Sequence, residues 1–109
     1  MFAKHSENGY ISVVEGIWRK TTVHGDKTLM AEFLLKKGAV LPPHSHPHEQ
    51  TGYLIKGRGC LMVGKEKLDL CPGDSWCIPG GVEHSGEITE DSVVIEVFAP
   101  VREDYLPTT

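Results

Sequence analysis

Three histidines, a carboxylate and a carboxamide fall within His44-Ser45-His46-Pro47-His48-Glu49-Gln50, directly after Pro42-Pro43. Alternate side chains share a face in extended backbone, so His44, His46 and His48 can point one way. Imidazoles gathered on one face suit a first-row transition metal. Glu49 is one residue out of phase and is expected to face away. His48 reads as a supporting or solvated group beside the other two. A second constellation lies near the C-terminus. Alternation along Val93–Phe98 puts Val94, Glu96 and Phe98 on one face, and Val93, Ile95 and Val97 on the other. If the first face looks inward, it carries a buried acid beside an aromatic ring. If it looks outward, Glu96 sits on a solvated edge while Phe98 packs in the core. Arg102, after Pro100, either leans over the mouth of a cavity or pairs at the surface with Glu103 or Asp104.

The elements that must position these groups read as strands. The chain has 12 Gly and 7 Pro spread along its length, punctuating short runs rich in β-branched and aromatic residues. That texture belongs to an all-β sandwich or barrel. Strands are expected at Tyr10–Val14, Gly16–Thr22, Thr28–Lys36, Gln50–Lys56, Gly59–Val63, Lys67–Leu70, Asp74–Ile78, Glu83–Ile88 and Ser92–Phe98. The breaks between them are turn chemistry, such as Lys56-Gly57-Arg58-Gly59, Cys71-Pro72-Gly73-Asp74 and Pro79-Gly80-Gly81. Asp74 is expected to cap its own turn. Glu103–Leu106 can form one helical turn.

Two stretches stand out together. Gly38, five residues, His44-x-His46, three residues, Gln50, six residues, Gly57 is the first; Gly73, five residues, Pro79-x-Gly81-x-x-His84 is the second. The pair resembles the two motifs of the cupin superfamily, in order and at ordinary spacing. The resemblance implies a double-stranded β-helix, a jelly-roll barrel with a metal inside. It also implies one domain over residues 1–109, with a barrel core over about 10–99 and a C-terminal tail at 100–109.

Carried over by position, the implied metal ligands are His44, His46, Gln50 and His84. The residues agree with this, because a barrel interior brings distant strands to one point. Gln50 stands where the motif usually has Glu. Three neutral imidazoles and an amide oxygen leave a divalent ion its full charge, a stronger Lewis acid than a carboxylate site holds. The site accepts one divalent transition metal, whether Ni, Zn, Fe, Mn or Co. The tail narrows the resemblance to small cupins of the pectin-degradation type, which linearise 4,5-unsaturated monouronates from pectin or alginate. That type has a functional Asp with Phe and Arg downstream. The matching positions here are Glu96, Phe98 and Arg102, with one methylene added to the acid. The resemblance therefore implies a non-redox ring-opening isomerase acting on an anionic sugar acid, with Glu96 shuttling a proton and Arg102 pairing with the carboxylate. The alternatives are an iron-dependent cupin dioxygenase and a non-catalytic module that binds a small sugar or acid.

Composition sets the remaining bounds. At 109 residues the chain is one small domain. Its net charge of −4 argues against general nucleic-acid affinity. No apolar run approaches the ~20 residues of a membrane span. The first residues lack the apolar stretch of a signal peptide, so a cytoplasmic location is expected. Cys60, Cys71 and Cys77 are odd in number and form no C-x-x-C pair, which disfavours disulfides. Cys60 and Cys77 read as small buried hydrophobes. Small cupins resemble dimers that pair N-terminal strands, and Tyr10–Val14 suits a homodimer of that kind.

Overall fold

Two long strands organise the molecule, and each passes through both sheets of a jelly-roll barrel. The computed structural model describes residues 1–107; Thr108 and Thr109, the end of the expected tail, lie outside the described residues. The strands are β1 (Ile11–Val14), β2 (Ile17–His24), β3 (Leu29–Leu35), β4 (Val40–His44), β5 (Glu49–Val63), β6 (Glu66–Leu70), β7 (Ser75–Ile78) and β8 (His84–Ala99). A single 3-10 turn follows at Glu103–Tyr105, within the predicted helical turn. All pairings among these strands are antiparallel.

β5 and β8 pair with each other along nearly their whole length. Their ends take different neighbours. The first part of β5 pairs with β7 and its last part with β6. The last part of β8 pairs with β3 and its first part with β4. One sheet thus runs through β1, β2, β3, β8, β5 and β7, and the opposing one through β4, β8, β5 and β6. The register slips between Leu54 and Gly59, where the pair bends from one sheet to the other. Gly57 sits there at φ +106°, and a Cβ on it would meet Ser92 Oγ at 2.0 Å. The sequence marks Gly57-Arg58-Gly59 as a turn between two strands. In the barrel it is a bulge, because pairing to β8 resumes beyond it. The expected strands Glu83–Ile88 and Ser92–Phe98 likewise form one β8.

β4 has no counterpart among the predicted strands, since Pro42 and Pro43 lie inside it. Among the described residues it pairs only with β8, and an edge strand tolerates the missing N–H groups. The core has two parts. Leu54, Leu61, Leu70, Trp76, Ile78 and Val94 fill the space between the sheets. Leu29, Ala31 and Phe98 form the other, which is covered by Val101, Tyr105 and Leu106 of the tail. Cys60 is half-buried, but Cys77 is exposed, which corrects its reading as a buried hydrophobe. On β7 the inward positions are Trp76 and Ile78, so alternation turns Cys77 outward. Asp74 caps its turn as expected, accepting from the Cys71 N–H at 2.7 Å. Among the described residues no helix is long and apolar enough to cross a membrane.

Candidate metal centre

The end of β4 and the start of β8 lie side by side, with His44 and His84 as register partners. Their ring centroids are 4.1 Å apart. His46 comes from the loop beyond β4, with its ring 5.0 Å from that of His84. One nitrogen from each of the three rings lies within 4.8 Å of the others. His44 and His46 do not share a strand face as the sequence suggests, because β4 ends at His44. A turn on the other side of the site sets His46 instead. The Gly81 N–H donates to the His46 carbonyl at 2.8 Å. A Cβ on Gly80 would lie 2.2 Å from the Pro47 carbonyl oxygen. Pro79-Gly80-Gly81, the turn that precedes His84, therefore clamps the loop that carries His46.

Each imidazole is oriented by the backbone near it. Nδ1 of His44 lies 3.0 Å from the Pro42 carbonyl, Nδ1 of His46 3.0 Å from that of His48, and Nδ1 of His84 2.9 Å from that of Val82. A carbonyl only accepts, so each Nδ1 carries the hydrogen and each Nε2 keeps its lone pair. The Nε2 of His84 is buried with no hydrogen-bond partner among the described residues. Burial, with the nearby Arg102 charge, holds His46 below the usual histidine range. Burial is also the main cause of the same downward shift at His84. Neutral rings tied at Nδ1 are what metal-binding histidines require.

Gln50, the second residue of β5, is buried. Its Oε1 lies 2.7 Å from Nε2 of His46. Two acceptors do not face each other at that distance without a cation or proton between them. A proton on His46 is disfavoured by its lowered pKa. Two ligand atoms on one ion, with bonds of roughly 2.0–2.1 Å, stand about 3 Å apart. The three imidazoles and the amide oxygen therefore fit a divalent metal. Glu49 is exposed on the opposite face, as expected. His48 supplies its carbonyl to His46, and its own Nδ1 is buried without a partner among the described residues.

The C-terminal constellation faces inward. Val94, Glu96 and Phe98 are all buried. Gln50 Nε2 donates to Glu96 Oε2 at 3.0 Å. Burial pushes the Glu96 carboxyl up to about 8, against the pull of the Gln50 hydrogen bond. The Phe98 ring meets His46 edge-on, with centroids 5.8 Å apart. Arg102 fulfils both sequence alternatives. Its guanidinium lies over Phe98 at 5.1 Å and bonds Asp104 through Nε and Nη2, both at 3.1 Å. Burial raises the Asp104 carboxyl, but the bonds and charge of Arg102 outweigh it and hold the group below its usual range.

Sequence reasoning missed Tyr105 and Arg19. Tyr105 lies between two guanidiniums, with Arg19 and Arg102 each 3.9 Å from its ring centroid. The available signal was spacing, since one helical turn after Arg102 places an aromatic ring beneath it. A cavity of about 350 Å³ runs under these groups. His44, Gln50, His84, Glu96, Phe98, Arg102 and Tyr105 line it along with apolar side chains of the barrel.

Residues 31–99 match the Cupin domain family. The chain belongs to the cupin family. Pectin degradation protein KdgF of Dickeya dadantii is 33% identical over 94 residues, covering 84% of this chain and 86% of that protein. The structure of KdgF from a Halomonas species superposes with a TM-score of 0.91 at 34% identity, over 97% of this chain and 98% of that one. An RmlC-like cupin from Shewanella frigidimarina gives a TM-score of 0.90 at 25% identity, over 96% and 95% of the two chains. A salicylate 1,2-dioxygenase from Pseudoaminobacter salicylatoxidans shares the cupin fold alone, at 17% identity and a TM-score of 0.75 over 80% of this chain and 27% of that one.

Proposed function

We propose that this cupin is a metal-dependent, non-redox isomerase that opens the ring of 4,5-unsaturated monouronates from pectin or alginate breakdown. The observation that carries the reading is the buried Glu96 bonded to Gln50, in the same cavity as the histidine cluster. The likeness to pectin degradation protein KdgF supports the substrate class. The assigned metal ligands are His44, His46, Gln50 and His84. A divalent ion held by them would supply Lewis acidity toward an oxygen-rich anion without any change of redox state.

The chain's own residues do the rest. One edge of Arg102 is held by Asp104, so its remaining Nη1–Nη2 edge is the one available to a substrate carboxylate. Asp104 and Tyr105 fix that edge at the cavity mouth. Phe98 walls the cavity beside His46 and excludes water. Glu96 takes the proton from the anomeric hydroxyl; C1 becomes an aldehyde as its bond to the ring oxygen breaks, that oxygen is released as the enol at C5, and a proton delivered to C4 turns the enol into the ketone. No atom is gained or lost, as an isomerisation requires. A carboxyl whose pKa lies near neutrality can both accept and give a proton.

The reading takes residues 1–109 as one cytoplasmic domain, supported by the packing of the tail on Leu29, Ala31 and Phe98. It takes the working unit as a homodimer. The edge strand β1 exposes Ile11 and Val13, and β8 turns Val93, Ile95 and Val97 to the outer face of its sheet. The test is metal analysis of the purified protein followed by turnover under strict anaerobiosis. An isomerase keeps its full rate without oxygen, whereas a dioxygenase loses it.

A further inference from the structure

Trp76 and Gly52 have no part in the chemistry above, yet they share a row with its acid. Gly52 on β5 is the register partner of Trp76 on one side and of Glu96 on the other. A Cβ on Gly52 would lie 2.2 Å from both Cε2 and Nε1 of Trp76, and 2.4 Å from Cζ2. The indole therefore lies over the missing side chain and reaches across β5 with its nitrogen edge toward β8. Gly52 is not in the left-handed region, so the ring rather than the backbone demands glycine there. Nε1 of Trp76 is buried and makes no hydrogen bond of normal geometry among the described residues. Glu96 is the buried acid in the same row across Gly52, and a donor there favours its carboxylate against the larger push of burial. The acid thus has the Gln50 amide on Oε2 and shares its row with a buried, uncommitted indole donor.

We propose that Trp76, seated by Gly52, is a positioning residue that holds the Glu96 carboxyl in place through its indole N–H. The proposal rests on the reading of Glu96 as the proton-carrying group. Gly52 lets the ring cross the sheet, the ring carries the donor, and the donor fixes the rotamer of the acid. Trp76→Phe keeps an aromatic ring in the core and removes the N–H. It should lower kcat at least tenfold while KM and bound metal stay near wild type. Gly52→Ala should give the same split by displacing the ring.

One measurement does not depend on turnover. The chain has two tryptophans, Trp18 and Trp76, so 15N-labelled protein shows two indole N–H resonances, assigned with Trp18→Phe. Glu96→Leu should move the Trp76 resonance upfield and speed its hydrogen exchange, leaving that of Trp18 in place. An unmoved Trp76 resonance overturns the proposal, as does a Trp76→Phe kcat within twofold of wild type. If the resonance moves but no uronate is converted, the positioning contact stands and the isomerase reading fails.

Discussion

His46 turns Nε2 toward the Gln50 amide oxygen at 2.7 Å while its Nδ1 is bound to the His48 carbonyl. This pairing of acceptors is what supports the proposal that Gln50 joins the three histidines as a ligand. The same amide reaches Glu96 with its nitrogen, so one side chain joins the metal centre to the acid. Gln50→Glu restores the usual cupin carboxylate but places a second acid against Glu96. In metal-free protein it should lower stability by about 1–3 kcal/mol, because a second buried carboxyl replaces the amide donor and one of the two must then keep a proton. Urea titration with and without added divalent metal checks this, and metal should recover most of the loss. Unchanged stability in the absence of metal would detach Gln50 from Glu96.

Metal-free protein should lose stability as pH rises through the upper neutral range. Folding raises the Glu96 carboxyl from 4.5 to about 8. Its contribution is therefore fully present below 4.5 and is lost as pH rises toward 8. His46 and His84, both held below 6.5, act in the opposite sense but only at lower pH. Between 6.5 and 8 the fall belongs to Glu96, on the order of 2 kcal/mol at roughly 1.4 kcal/mol per pH unit. Melting temperature against pH should flatten over that interval in Glu96→Gln. An equal slope in both proteins would contradict the burial of the acid.

Gly80→Ala tests how His46 is placed. The added methyl would meet the Pro47 carbonyl oxygen at 2.2 Å, so the clamp on the His46 loop must open. Metal affinity should fall about 10- to 100-fold, the range found when groups orienting a ligand are removed. The fold should survive, since the turn lies at the surface. Competition with a chromophoric chelator measures the change, and wild-type affinity would mean that the clamp is incidental.

Arg102 is predicted to work only while Asp104 holds it. Asp104→Asn removes the charged partner from Nε and Nη2 and leaves the guanidinium stacked on Tyr105. KM for an anionic substrate should rise several-fold, with a smaller change in kcat. Steady-state kinetics at fixed ionic strength would show it; a change confined to kcat would argue that Arg102 does not bind the anion.

The sequence carried the barrel and the four converging side chains, because both motifs mark them by residue type and spacing. It also carried the inward face of Val94, Glu96 and Phe98, since strand alternation leaves only two choices. Other features depended on partners distant in the chain. Gly57-Arg58-Gly59 has the composition of a turn, and only pairing to β8 makes it a bulge. Pro42 and Pro43 argue against a strand until β4 is found at an edge. His46 is held by a turn 35 residues away, and Trp76 and Glu96 share a row only through Gly52. Local pattern gives the direction of a side chain but not what it meets.

The most direct measurement is the loss of the ultraviolet absorbance of a 4,5-unsaturated monouronate. Metal-loaded wild-type protein should accelerate that loss well above the buffer rate, with or without oxygen, and Glu96→Gln with equal bound metal should lose at least a hundredfold in kcat. A wild-type rate equal to buffer, with metal confirmed bound, would contradict the isomerase reading.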